Sequence, residues 1–293
     1  MGAENPIYKI PNGTKCSQKN HKLYFMQVYF IFSKRMPLIS IFTFYKQMTL
    51  GQIINIPNIF TLINLFFGCI GILFCFDSSL IQYVPYTTAA SLVMDFLDGF
   101  AARIFKQNTD IGKELDSLAD MVSFGFLPGL VLYQICRDGM SMYADKTTII
   151  ITCAPLFLIT LFAALRLAKF NLDDRQSDNF RGLATPACTI FVIGLLEIHL
   201  KNYFGLDDII SNRWFLYIIA ISLSVLMLSE IELFSFKIKG LYLKGNRTRI
   251  VFGICSLILL LSLGSAAWSL IIIVYIILSL LRQYFPNDLF SRN

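Results

Sequence analysis

The sequence predicts an all-α helical bundle that crosses a membrane repeatedly, and three observations carry that reading. Of 293 residues, 56% are hydrophobic and 15% charged, with a mean hydropathy of +0.63, which excludes an ordinary water-soluble domain. Apolar runs recur at the length of roughly 20 residues that a helix needs to cross the hydrocarbon core. Basic residues are also unevenly shared between alternate connections. With the N-terminus inside, the regions 104–113, 169–182, 233–249 and the C-terminal tail, together with Arg282 at the end of the last span, hold twelve Lys and Arg. The opposite side holds four: Arg137, Lys146, Lys201 and Arg213. That bias follows the positive-inside rule and sets the topology, and a basic inner surface also suits anionic lipid headgroups. The expected spans, about eight, fall near 59–76, 84–105, 114–136, 148–170, 184–203, 214–232, 250–263 and 265–283.

Residues 1–50 stand apart. They mix polar and aromatic residues, and their apolar run Leu23–Phe32 is too short to span. They lack the charged, apolar and small-residue order of a cleavable leader, and Met48 sits just ahead of the first span. The expectation is an N-terminal extension over 1–50 with the natural start near Met48, or else a segment lying in the interface. A membrane domain over 51–284 and a cytoplasmic tail over 285–293 complete the division. The first span opens with Pro57, and Asn58, Thr61, Asn64 and Gly68 then recur every three or four residues. This polar, small face suits helix packing as well as a ligand. The fourth span ends in Arg166-Leu-Ala-Lys-Phe-Asn171, cations at a helix C-terminus. Gly182-Leu-Ala-Thr-Pro186 turns the chain into the fifth. The last three spans carry few polar residues, and Glu197, Glu230 and Glu232 fall near span ends, as interfacial residues do. Seven cysteines without a C-x-x-C pair, with only His21 and His199 to join them, argue against a zinc site or a disulfide framework.

The second and third spans hold the informative residues. Asp95, Asp98, Gly99 and Ala102 stand at i, i+3, i+4 and i+7, a single helical face. Gly112, Asp116 and Asp120 stand at i, i+4 and i+8, again one face. A connection over 104–111 returns the second helix antiparallel to the first, so the two acidic faces meet near the cytoplasmic surface. Each embedded charge costs roughly 2.5–3.5 kcal/mol to insert. Something cationic must offset that cost, and hard divalent ions with oxygen ligands suit it.

Paired divalent ions can clamp a diphosphate and stabilise an in-line phosphoryl displacement. Arg103 can grip phosphate oxygens with its planar fork. A carboxylate not fully committed to metal can take a proton from an attacking hydroxyl, and Asp120, last in the series, is the candidate. Two other readings fit less well. A structural polar network would need more cations than Arg103 and Arg166 supply. A cation channel or transporter would place its site at the midplane, on broken helices in repeated halves, and this cluster has no second copy.

The order D-x-x-D-G-x-x-A-R, eight residues, G-x-x-x-D-x-x-x-D, spanning Asp95 to Asp120, resembles the signature of the CDP-alcohol phosphatidyltransferases at every fixed position. The resemblance implies a six-helix membrane core, usually dimeric, and release of CMP when a phospho group passes from a CDP-linked donor to an alcohol. It implies Asp95, Asp98, Asp116 and Asp120 as ligands of two Mg2+ or Mn2+ ions and Asp120 as general base. Gly99, Ala102 and Gly112 would line the cytidine side, with Arg103, Asn58 and Thr61 completing the site for CDP-diacylglycerol. A narrower likeness concerns the acceptor. Ile56-Pro-Asn-Ile-Phe-Thr61, Lys113 through Gly125, Arg166 through Asn171 and Gly182 through Ala187 resemble the integral-membrane bacterial phosphatidylserine synthases, over residues 52–280. Ala184 departs from them, standing where proline is common. The likeness implies L-serine as acceptor, with glycerol 3-phosphate or inositol phosphate as alternatives. Serine needs a carboxylate partner, and Arg166, with Lys169 and Arg175, is placed to provide it. No Ser, Cys or His is marked out as a nucleophile, so transfer is expected to be direct. The setting implied is the cell inner membrane with the site facing the cytoplasm, a homodimer, and no nucleic-acid partner.

Overall fold

The computed structural model describes residues 55–107, 109–140, 144–172, 180–234 and 247–284. All of them belong to the compact unit Ile53–Asn293. The extension 1–50, Arg175 and the tail 285–293 lie outside the described residues. The helices are α1 Ile56–Cys75, α2 Val84–Ile104, α3 Asp110–Asp120, α4 Leu127–Asp138, α5 Lys146–Cys153, α6 Leu158–Leu172, α7 Thr185–Lys201, α8 Asp207–Ile210, α9 Arg213–Leu228, α10 Arg247–Leu263 and α11 Ala267–Tyr284. A two-residue antiparallel pair, β1 Phe180–Arg181 with β2 Glu232–Leu233, joins Phe180 to Leu233 and Arg181 to Glu232. Each of the eight expected spans falls on helix. The sixth ends at Leu228 rather than 232, so Glu230 and Glu232 lie beyond it. Among the described residues, four stretches are long and apolar enough to cross a membrane: Ile56–Cys75, Asp110–Asp138, Lys146–Leu172 and Thr248–Gln283.

The last of these is folded in two. Gly264 takes φ +57°, a left-handed conformation that glycine adopts without strain. Phe252 and Tyr275, equally far from Gly264 to within one residue, place their ring centroids 5.8 Å apart. A continuous helix would separate them by roughly 35 Å at 1.5 Å per residue, so α10 and α11 form a hairpin.

Polarity is inverted relative to a soluble protein. Asn58, Thr61, Asn64, Ser91, Ser123, Thr185 and Thr189 are buried, while Phe66, Leu73, Tyr86, Phe96, Ile151, Leu161 and Ile218 are exposed. Water would penalise that arrangement, and lipid favours it.

Side-chain contacts fix the register of the first three spans. Along α1, Thr61, Asn64 and Gly71 meet Asp98, Ser91 and Thr87, so α2 descends as α1 rises. Asn64, Gly68, Gly71 and Cys75 meet Asp120, Ser123, Leu127 and Gln134, so α3 and α4 rise with α1. The C-terminal half of α2 and the start of α3 are thereby carried to the same end of the bundle, against the first two turns of α1.

α3 and α4 form one helix, joined through a π-helical segment, Met121–Phe126. Pro128 has no N–H for the carbonyl of Phe124 four residues earlier. The hydroxyl of Thr189 donates to that carbonyl at 3.1 Å, and Thr160 donates to the Gly125 carbonyl at 2.9 Å. Polar groups freed inside a membrane helix need such partners. The turn into α7 takes a proline-like shape at Ala184. That residue has φ −66° and ψ 142°, the conformation a proline would hold.

Candidate active site

The acidic faces of α2 and α3 meet as the spacing predicts. One carboxylate oxygen from each of Asp95, Asp98 and Asp116 lies within 4.8 Å of the others. At an effective dielectric of 20, two unit charges at that separation repel by about 3.5 kcal/mol. A cation between them would relieve all three pairs, so the cluster could hold one. The donor set fits a hard divalent ion, because it is all oxygen and the buried Asp116 Oδ1 has no hydrogen-bond partner. Asp98 is held in place by Thr61, whose hydroxyl donates to Oδ2 at 2.7 Å.

Asp120 stands outside that trio. It is buried, accepts from Asn64 Nδ2 at 3.4 Å, and lies within electrostatic reach of the three acids and of Arg166. The Asn64 backbone carbonyl in turn accepts from Ser91 and Ser123, both at 3.1 Å, so α1, α2 and the π segment are tied together at one residue. Arg166 is buried, its guanidinium donates to Thr185 at 3.3 Å, and its Nε has no partner. A buried cation with a spare donor suits an anion.

An open cleft of about 190 Å³ borders the acids. Its walls include Asn58, Thr61, Asp98, Gly99, Ala102, Gly112 and Asp116, all named from sequence. A Cβ on Gly99 would meet nothing within 4 Å, so this glycine opens onto space and serves no helix contact. Arg103 does not line the cleft. Its Nε donates to the Gly99 carbonyl at 2.9 Å, which lays the side chain along its own exposed helix. Lys169 is engaged by Glu230 at 2.6 Å, and Glu230 also binds Arg181 at 3.1 Å. These two cations hold the exposed Glu230 carboxyl below its usual range, the Lys169 hydrogen bond being the larger cause.

The sequence reading missed Gln107, Thr109 and Lys113 as cleft residues. Thr109 caps α3 by accepting from Gly112 N at 3.1 Å, a role that a threonine just ahead of an acidic first turn signals. Lys113 enters the sequence reading through the topology count and the Lys113–Gly125 likeness, not as a site residue.

An apolar-faced helical bundle with a carboxylate-lined cleft at one end has the form of a membrane protein with a site for a divalent cation. The chain belongs to the CDP-alcohol phosphatidyltransferase family, which residues 54–227 match. It is similar to a Helicobacter pylori CDP-diacylglycerol–serine O-phosphatidyltransferase, 31% identical over 257 residues, 84% of this chain and 99% of the relative. A Mycobacterium leprae protein of the same name is 32% identical over 185 residues, 61% of this chain and 57% of its own. The archaetidylserine synthase of Methanothermobacter thermautotrophicus is 32% identical over 182 residues, 61% of this chain and 69% of that protein.

Proposed function

We propose that this chain transfers the phosphatidyl group of CDP-diacylglycerol to L-serine, giving phosphatidylserine and CMP. The observation that carries the reading is the convergence of the motif acids on one cleft, in a chain aligned almost end to end with a relative named for serine. The cleft lies at an end of an apolar bundle. Acyl tails can stay in lipid there while the nucleotide and serine enter from water.

Asp95, Asp98, Asp116 and Asp120 would hold two Mg2+ or Mn2+ ions, which when bound neutralise the donor's diphosphate. Gly99, Ala102 and Gly112, with Asn58 and Thr61, take the cytidine side. Asp120 accepts the proton of the serine hydroxyl: Asn64 occupies its Oδ1 and leaves Oδ2 available. The serine oxygen then bonds to the phosphorus that carries diacylglycerol. The bond from that phosphorus to the bridging oxygen breaks, and CMP leaves with that oxygen. Arg166 pairs with the serine carboxylate through its spare Nε, and Lys169 and Arg175, which follow it in the sequence, would add positive charge. The reading extends to the setting: a homodimer in the cell inner membrane, its site facing the cytoplasm, with 51–284 as catalytic domain, 1–50 as extension and 285–293 as tail.

The test is CMP release by purified protein in detergent with CDP-diacylglycerol and Mn2+, comparing serine, glycerol 3-phosphate, inositol phosphate and no acceptor. Serine-dependent release with phosphatidylserine as product is expected, and Asp120→Asn should abolish it. Release only with another alcohol would overturn the acceptor. No release with any of them would overturn the reaction.

A further inference from the structure

Among the residues that line the cleft, Lys113 is the single cation. It stands on the first turn of α3, one residue after Gly112 and three before Asp116. Its backbone is committed, the N–H to the Thr109 carbonyl at 3.2 Å and the carbonyl to the Ser117 hydroxyl at 3.1 Å. Its side chain is exposed, and among the described residues its ammonium makes no ion pair within 4.0 Å, even with Asp116 close by on the same helix. Arg103, the basic residue of the motif, is turned away onto the Gly99 carbonyl.

We propose that Lys113 is the side chain that holds the phosphates of the nucleotide donor, the task the sequence reading gives to Arg103. The inference rests on the proposed function for the identity of the donor. Its chemical basis is charge. Asp98 and Asp116 line the cleft and Asp95 adjoins them, so a diphosphate entering there brings more negative charge to an acidic wall. A compact ammonium on a flexible stem can follow phosphate oxygens as a point charge without a fixed fork geometry. Space is available beside it. The Gly99 wall is open, and Gln107 and Thr109 bound the same cleft with small or flexible polar groups.

The experiment compares CDP with cytidine, which lacks the phosphates, as ligands of the full chain in detergent with Mg2+, by titration calorimetry. Wild-type protein should bind CDP more tightly than cytidine. Lys113→Gln should lose about tenfold or more of its CDP affinity, as expected for a lost charge-assisted contact, and keep its cytidine affinity. Lys113→Arg should recover most of the loss. Three outcomes would overturn the assignment: equal weakening toward both ligands, no weakening, or the CDP-selective loss falling on Arg103→Gln and sparing Lys113→Gln. Serine-dependent CMP release by wild-type protein reads the proposed function separately. A wild type that prefers CDP but releases no CMP with serine would overturn the acceptor and leave Lys113 in its role.

Discussion

Replacing Thr61 by valine removes one hydroxyl and keeps the side-chain shape, which makes it a clean probe of how the metal ligands are aimed. The hydroxyl donates to Asp98 Oδ2 at 2.7 Å, and both residues are buried. A hydrogen bond to a charged group contributes about 1.5–3 kcal/mol. The single Thr61 hydroxyl proton also faces the Pro57 carbonyl at 3.2 Å, so it is shared and the lower end of that range applies. About 1.4 kcal/mol is a factor of ten in binding. That matches the ~10–100-fold effect of residues that orient ligands from behind. The expected result is about a tenfold rise in the Mn2+ concentration giving half-maximal CMP release, with the thermal midpoint lowered by only a few degrees. Measuring release across a Mn2+ series at saturating donor decides it. An unchanged or lower metal requirement in a stably folded Thr61→Val protein would refute the reasoning, because the bond would then have no part in aiming Asp98.

Other expectations follow from single contacts. A Cβ on Gly68 would lie 2.2 Å from Ser123 Oγ and 3.0 Å from its Cα, so Gly68→Ala should lower stability by about 1–3 kcal/mol, read as a drop in thermal midpoint. Gly99→Ala meets nothing and should melt like wild type while raising the KM for CDP-diacylglycerol; a large loss of stability would refute its place in the cleft. Arg166→Ala should raise the KM for serine well above its effect on the donor, and equal effects on both would count against a carboxylate clamp. The Glu230 carboxyl is held low by Lys169 and Arg181, so its stabilisation is present above the ordinary glutamate value near 4.3 and fades as pH falls through the lower folded value. The midpoint of Glu230→Gln should therefore lie slightly below wild type at pH 7 and converge with it in acid. A gap that widens in acid would reverse the sign and reject the pairing.

The parts legible in the sequence are those with a period. The i, i+3, i+4 and i+4, i+8 spacings put Asp95, Asp98 and Asp116 together, and the apolar runs located every span. What periodicity could not show is where a long side chain goes. Arg103 and Lys113 are both basic residues beside the motif, and the helix backbone alone leaves each free to swing toward the cleft or away. The π segment was equally hidden. Pro128 signals a missing N–H, but the partners that let the helix continue, Thr160 and Thr189, come from helices far along the chain. The sixth span's early end belongs to the same class, since Glu232 leaves the helix to pair with Arg181 across β1 and β2.

The polar stripe of α1 shows why packing and chemistry could not be told apart from sequence. Asn58, Thr61, Asn64 and Gly68 share one face, and the register against α2 and α3 divides that face by height. The lower residues touch the acids: Thr61 binds Asp98, Asn64 binds Asp120, and Asn58 lines the cleft. One turn higher, Gly68 and Gly71 permit close approach to Ser123, Thr87 and Leu127. Helices in lipid associate through small residues and buried hydrogen bonds, so the same three- and four-residue spacing serves both ends. The two halves are joined at Asn64, whose side chain reaches Asp120 while its carbonyl receives Ser91 and Ser123. Substitutions below that residue should alter metal or substrate dependence at near-normal stability, and those above it should alter stability first. Asn64 itself should do both, because the helix contact that sets the height of α1 is also the contact that holds the carboxylate of Asp120.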